Sequence, residues 1–117
     1  MEWGAASRVF EKWGVVFAYL FGSRARGTAR EDSDWDVAAY FGRDVTVLEE
    51  VALEEELSDA LGVEVNVVAL DAAPLDLIYT VLNSGVPIYS KDEDRRRSWE
   101  IEAYLEYLDW ASQYEEA

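Results

Sequence analysis

The chain has 117 residues, half of them apolar and 14% aromatic, enough for one domain with a packed core and too hydrophobic for a disordered segment. It holds no cysteine and no histidine, which excludes a disulfide framework, thiolate metal sites, Ser-His-Asp catalysis and histidine general bases. A net charge of −15, from 25 acidic against 10 basic residues, disfavours nucleic acid and anionic membranes as partners and suits hard cations or a basic protein. Direct nucleic-acid binding is therefore not expected.

Residues 5–13 pattern as a short helix stopped by Gly14. The run VVFAYLF, 15–21, reads as a buried strand ending at Gly22. Residues 22–33 are polar and arginine-bearing and predict a loop or short helical turn, before DWDVAAYF, 34–41, resumes as a strand. Within 44–62 the period changes: Val47, Val51, Leu53, Leu57 and Leu61 recur at helix-compatible spacing, and Gly62 suits the C-terminal stop. VEVNVVAL, 63–70, predicts a strand with Val63, Val65 and Val67 on one face and Glu64 and Asn66 on the other. Pro74 opens a helix over 75–84, residues 87–90 add an edge strand, and 92–115 form a last helix. The expected order is α-β-β-α-β-α-β-α. It implies an α/β (α+β) fold with a small mixed sheet and helices mainly on one face. One domain over 1–117 is expected, with no interdomain linker. The first two strands can be antiparallel neighbours, or the short link between them can hold a crossover helix. The start MEWGAASRVF lacks a signal-peptide pattern, and the apolar runs are too short to span a bilayer. A cytoplasmic location without membrane contact is the expectation.

The stretch LFGSRARGTAREDSDWDVAAYF, 20–41, concentrates the chemistry. Gly22 permits close approach of an anion to the backbone, and Ser23 adds a hydroxyl. Arg24 and Arg26 supply planar charged donors suited to phosphate oxygens. Asp34 and Asp36, at i and i+2 of a strand, present both carboxylates on one side. Carboxylates, water and substrate phosphates are what Mg²⁺ prefers, so the pair can hold one or two ions beside an anchored phosphate. The implied chemistry is phosphoryl or nucleotidyl transfer. Taken singly, each part is an ordinary loop, strand edge or surface charge. Their order and spacing between two strands make a site.

GSRARG followed by SDWDV resembles the G-S-x-A-R-G…S-D-x-D motif of the minimal nucleotidyltransferases, within the polymerase-beta-like nucleotidyltransferase superfamily. The likeness continues through VEVNVVAL, NSGVPIYSKDEDRR and the aromatic C-terminal helix. The resemblance implies the nucleotidyltransferase fold and transfer of a nucleoside monophosphate, AMP from ATP or that of another nucleoside triphosphate, with pyrophosphate leaving. It implies Gly22 and Ser23, with Arg24, Arg26 and Ser33, at the triphosphate. It implies Asp34 and Asp36 as metal ligands. Where the family carries a third carboxylate, this chain has Asn66, a neutral group that can ligate through its carbonyl but cannot act as a base. Glu64, about 6–7 Å along the same strand face, is the auxiliary candidate.

Such proteins are often encoded with a helical HEPN-domain toxin, on which the antitoxin nucleotidyltransferase places AMP at a tyrosine. The resemblance therefore implies a HEPN partner and a homo- or hetero-oligomer. The helix over 92–115 carries two stripes: Ile101, Tyr104, Leu105, Leu108 and Ala111 on one, and Trp99, Ala103, Tyr107, Trp110 and Tyr114 on the other. Trp99, Tyr107, Trp110 and Tyr114 are the expected partner-facing residues, by the interface preference of Trp and Tyr. Two other readings compete with the enzyme. One is an antitoxin of the same fold with weak or lost catalysis, which protects by binding. The other is transfer to a small molecule such as an antibiotic, for which the chain is short of a substrate domain.

Overall fold

The structure, a computed structural model, describes the backbone of residues 1–115 and the side chains of residues 1–113. Nine elements of helix and strand follow in chain order: α1 Gly4–Lys12, β1 Phe17–Phe21, α2 Ser23–Arg26, β2 Trp35–Tyr40, α3 Val47–Leu61, β3 Val65–Ala69, α4 Leu75–Ser84, β4 Val86–Ser90 and α5 Glu93–Glu115. A single 3₁₀ turn, Leu70–Ala72, links β3 to α4. The helices start and stop where side-chain chemistry permits. Thr46 and Glu49 form a reciprocal capping box at the start of α3, and Gly62 ends it in the left-handed region.

The four strands lie in the order β3-β2-β1-β4. β1 is antiparallel to both β2 and β4, while β2 and β3 are parallel, with α3 as their crossover. The 20–41 stretch therefore joins antiparallel neighbours and contains a short helix, but that helix makes no crossover. Alternation sorts the strand residues cleanly. Ala18, Val37, Ala39, Val65, Val67 and Ala69 pack with Phe10 of α1 and Leu53 and Leu57 of α3. Phe17, Tyr19 and Ala38 pack on the opposite side with Val81 of α4 and Trp99 of α5. Helices thus cover both faces of the sheet, which corrects the expectation of helices mainly on one face. The reason lies in β1, whose residues are apolar at every position and so demand cover above and below.

Of the α3 residues at helical spacing, Leu53 and Leu57 are buried, while Val47 and Val51 are exposed. α5 also departs from expectation. Trp99 contacts the rings of Phe17, Tyr19 and Tyr40, and Ala103 is buried. Tyr107 stacks on Tyr79 of α4 at 4.1 Å between ring centroids. The stripe assigned to a partner is the one that meets the chain's own domain. Trp110 is 43% exposed, and the side chain of Tyr114 lies outside the described residues.

Candidate active site

The register of β2 places Asp36 beside Phe21 of β1 on one side and Asn66 of β3 on the other. The alternation D-W-D turns Trp35 toward the α1/α3 layer and leaves the carboxylates on the opposite side. Nδ2 of Asn66 donates to Oδ2 of Asp34 at 3.1 Å and to Oδ1 of Asp36 at 3.4 Å. The two carboxylates therefore converge on one atom. Asp34 and Asn66 are exposed and Asp36 is half-buried, so the pair stays open to solvent.

Gly22 follows β1 directly and adopts φ 75, ψ −157, a backbone region that only glycine occupies readily. A Cβ there would stand 2.6 Å from Oδ2 of Asp36. The missing side chain is the space in which the Asp36 carboxylate lies. Beyond it, the amides of Ala25 and Arg26 bond to the Gly22 carbonyl, closing the single turn of α2, and Gly27 ends the turn in the left-handed region. The first amides of such a turn have no acceptor within it, and they follow the glycine that adjoins Asp36.

Arg24 is engaged by its own loop. Its Nη2 donates to the carbonyls of Ser33 at 2.8 Å and Glu31 at 3.2 Å, and its Nε donates to the Ser33 carbonyl at 3.2 Å. Its guanidinium lies 4.5 Å from the centroid of the Trp35 ring, which meets Trp3 edge-on. Arg24 is a clamp on the loop that delivers Asp34. Ser33 holds the same loop: its Oγ accepts from the amide of Arg30 at 2.9 Å. Arg26 is exposed at the end of α2, and Glu64 lines an open hollow with Arg24, Ser33 and Asp34. The one trace of the clamp in the sequence is Trp35, the aromatic residue between the two aspartates and eleven residues beyond Arg24. Its reading needs the fold that brings them together.

The donor set is two carboxylates and one amide, and no group of three or more His, Cys, Asp or Glu side chains that could hold a metal occurs among the described residues. That set fits Mg²⁺. A half-turn of the Asn66 amide would turn its carbonyl oxygen toward the point where the carboxylates meet, so that Asp34, Asp36 and Asn66 would be the residues to hold such an ion beside a substrate phosphate.

The fold and this constellation define a nucleotidyltransferase. The profile of the family described as Polymerase beta, Nucleotidyltransferase matches residues 6–94, and the chain belongs to that family. Among its relatives, the protein adenylyltransferase MntA of Thermococcus cleftensis is 37% identical over 76 residues, which are 65% of this chain and 77% of the relative. Two solved structures share the fold. A chain of a toxin-antitoxin crystal structure with AMP-PNP superimposes with a TM-score of 0.86 at 20% identity, covering 98% of this chain and 94% of that one. A chain of the tri-AMPylated Shewanella oneidensis HEPN toxin in complex with MNT antitoxin gives 0.74 at 18% identity, covering 92% and 85%. Among the described residues no helix is long and apolar enough to cross a membrane.

Proposed function

We propose that the chain transfers AMP from ATP to a hydroxyl group of a HEPN-domain protein and thereby acts as the antitoxin of that protein. The observation that carries the reading is the convergence of Asp34 and Asp36 on one point beside Gly22. The name of the Thermococcus relative, and the AMP-bearing HEPN toxin in one of the similar structures, supply the acceptor and the nucleotide. The attacking hydroxyl oxygen bonds to the α-phosphorus, and the bond to the bridging oxygen breaks, releasing pyrophosphate. Gly22 and Ser23 receive the triphosphate, and exposed Arg26 adds a guanidinium to its oxygens. Arg24 and Ser33 keep the loop closed, which fixes Asp34 relative to Asp36.

Asp34, Asp36 and the carbonyl of Asn66 are the groups we assign to Mg²⁺, as one ion or two. Bound there, the metal supplies Lewis acidity and charge neutralisation at the phosphates. Asn66 cannot take the proton of the attacking hydroxyl. Glu64, on the rim of the same hollow as Asp34, is the auxiliary group for it, through a water. Reaction with cellular ATP and a chain without cysteine both fit the cytoplasm. We also read residues 1–117 as one catalytic domain in which α5 serves the partner.

Asn66 favours a second reading, an antitoxin that protects by binding with little transfer. One experiment separates them: the purified chain, with Mg²⁺ and radiolabelled ATP, with and without the HEPN protein. We expect label on the HEPN protein, lost in Asp34→Ala and raised several-fold in Asn66→Asp. A tight but unlabelled complex, with protection intact in Asp34→Ala, would establish the binding antitoxin.

A further inference from the structure

α5 presents its apolar residues on the wrong side for its own core. Ile101 is 62% exposed, Tyr104 51%, Leu105 60% and Leu108 45%. Their spacing is i, i+3, i+4, i+7, a seam along two turns of helix. The seam points away from the stripe of Trp99 and Ala103 that packs on the sheet. Beside it, Leu82 of α4 joins Ile101, Tyr104 and Leu105 in lining an open hollow of about 310 Å³. Scattered apolar residues on a surface need no explanation, but a contiguous helical seam with a hollow along it does.

Two observations identify what covers it. The first is charge. By helical spacing Glu102 and Asp109 flank the seam on one side, while Glu100 on the other is already paired with Arg96. A second copy laid antiparallel about the seam's midpoint meets flank with like flank and would bring Glu102 toward Asp109, between two chains that each carry −15. A helix with basic residues beside its own apolar stripe meets the same rim favourably. The second is the extent of the likenesses. The match to the nucleotidyltransferase family ends at residue 94, at the start of α5, so this helix lies beyond the part that the family shares. The fold match to the toxin-antitoxin chain covers 98% of this chain and so takes in α5.

We propose that the Ile101–Leu108 seam and Leu82 form the groove into which the partner protein lays an amphipathic helix with lysine or arginine flanks. This deepens the functional reading above and rests on it for the identity of the partner as a HEPN protein. The mode is helix in groove, with Ile101 and Leu105 as central anchors and the acidic rim setting direction and rate of approach. It also reassigns the interface, since the seam and not the Trp99 stripe makes contact.

The test uses the full chain co-expressed with the HEPN protein. Ile101→Glu and Leu105→Glu, singly and together, are compared with wild type by size-exclusion chromatography with light scattering and by calorimetric titration. ATP binding to the isolated chain is the second readout. The seam predicts at least a tenfold loss of HEPN affinity in each single variant, no complex in the double variant, and unchanged ATP binding. A double variant that still forms the complex at wild-type affinity overturns the groove and leaves the functional reading standing. A wild-type chain that is a dimer on its own, dissolved by Leu105→Glu, overturns the choice of occupant in favour of a second copy. A wild-type chain that binds no HEPN protein overturns the functional reading, and the groove's occupant with it.

Discussion

Gly22 is constrained twice, and the two constraints are separable. Its backbone lies at φ 75, and its absent Cβ makes room for Oδ2 of Asp36. Gly27, five residues on, has φ 74 but nothing within 4 Å of a Cβ built there. An alanine at 27 meets only the backbone penalty, about 1 kcal/mol. An alanine at 22 meets a less permitted backbone region and a clash with a carboxylate, about 2–3 kcal/mol together. Denaturant unfolding of Gly22→Ala and Gly27→Ala measures the difference. Only the first should also depress ATP-dependent labelling, because only the first displaces Asp36. Equal losses in both variants would mean that the close approach to Asp36 has no energetic weight. The motif made Gly22, Asp34 and Asp36 legible in the sequence, because their chemistry is local to a turn and a strand. Arg24 was not legible as a clamp. Whether a guanidinium meets phosphate or carbonyl depends on the path of a loop, and no pattern in residues 24–33 states that path.

At the scale of the element, periodicity located every strand and the four longer helices to within about three residues, because each has a buried face with its own period, whereas α2 has none. It did not say which face of α5 turns inward. Both stripes carry apolar bulk, and the choice is made by neighbours distant in sequence. Phe17, Tyr19 and Tyr40 form an aromatic floor that fits Trp99. Polar anchoring agrees with it. Arg96 donates to Glu93, to the Glu100 carboxylate at 2.6 Å and to the hydroxyl of Tyr19 at 3.1 Å. Tyr19 itself donates to Glu100, and its burial, followed by that carboxylate, pushes its hydroxyl above the ordinary tyrosine range.

The same turn carries a pH dependence. The bond from Arg96, then one from Ser90, holds the Glu93 carboxyl at about 2, below its ordinary 4.5. A folded-state value below the unfolded one means that the contribution is complete above about pH 4.5 and is lost as pH falls through about 2. Glu93 is exposed, so solvent screening keeps the effect small. We expect the stability gap between wild type and Glu93→Gln to be steady from pH 7 to 5 and to close between pH 4.5 and 2. Thermal unfolding followed by tryptophan fluorescence reads it. A gap that stays constant down to pH 2 would show that the Arg96 bond is as strong to a neutral group as to a carboxylate.

For the whole molecule, the 25 acidic side chains against 10 basic ones decide how the fold responds to its solvent. The ion pairs seen among the described residues are few: Lys12 with Glu56, Arg43 with Glu49, and Arg96 and Arg97 within the first turns of α5. Two effects of salt then oppose each other. Screening weakens these pairs, whose carboxylates are open to solvent and contribute little each. Screening also weakens the mutual repulsion of a −15 surface, which acts between every pair of charges within a Debye length. That length shrinks from about 30 Å at 0.01 M to about 8 Å at 0.15 M, so the first figure spans the molecule and the second does not. Repulsion therefore dominates at low salt and is largely removed by physiological salt. The melting temperature should rise by several degrees between 0.01 and 0.15 M NaCl and then flatten. The Mg²⁺ proposed for the paired aspartates would screen as well as bind, and the same scan in Asp34→Ala separates the two: the NaCl rise should persist in the variant, while an extra rise with millimolar Mg²⁺ that only wild type shows would belong to the paired aspartates. A melting temperature that falls with NaCl would show that the few ion pairs outweigh the field of the whole surface.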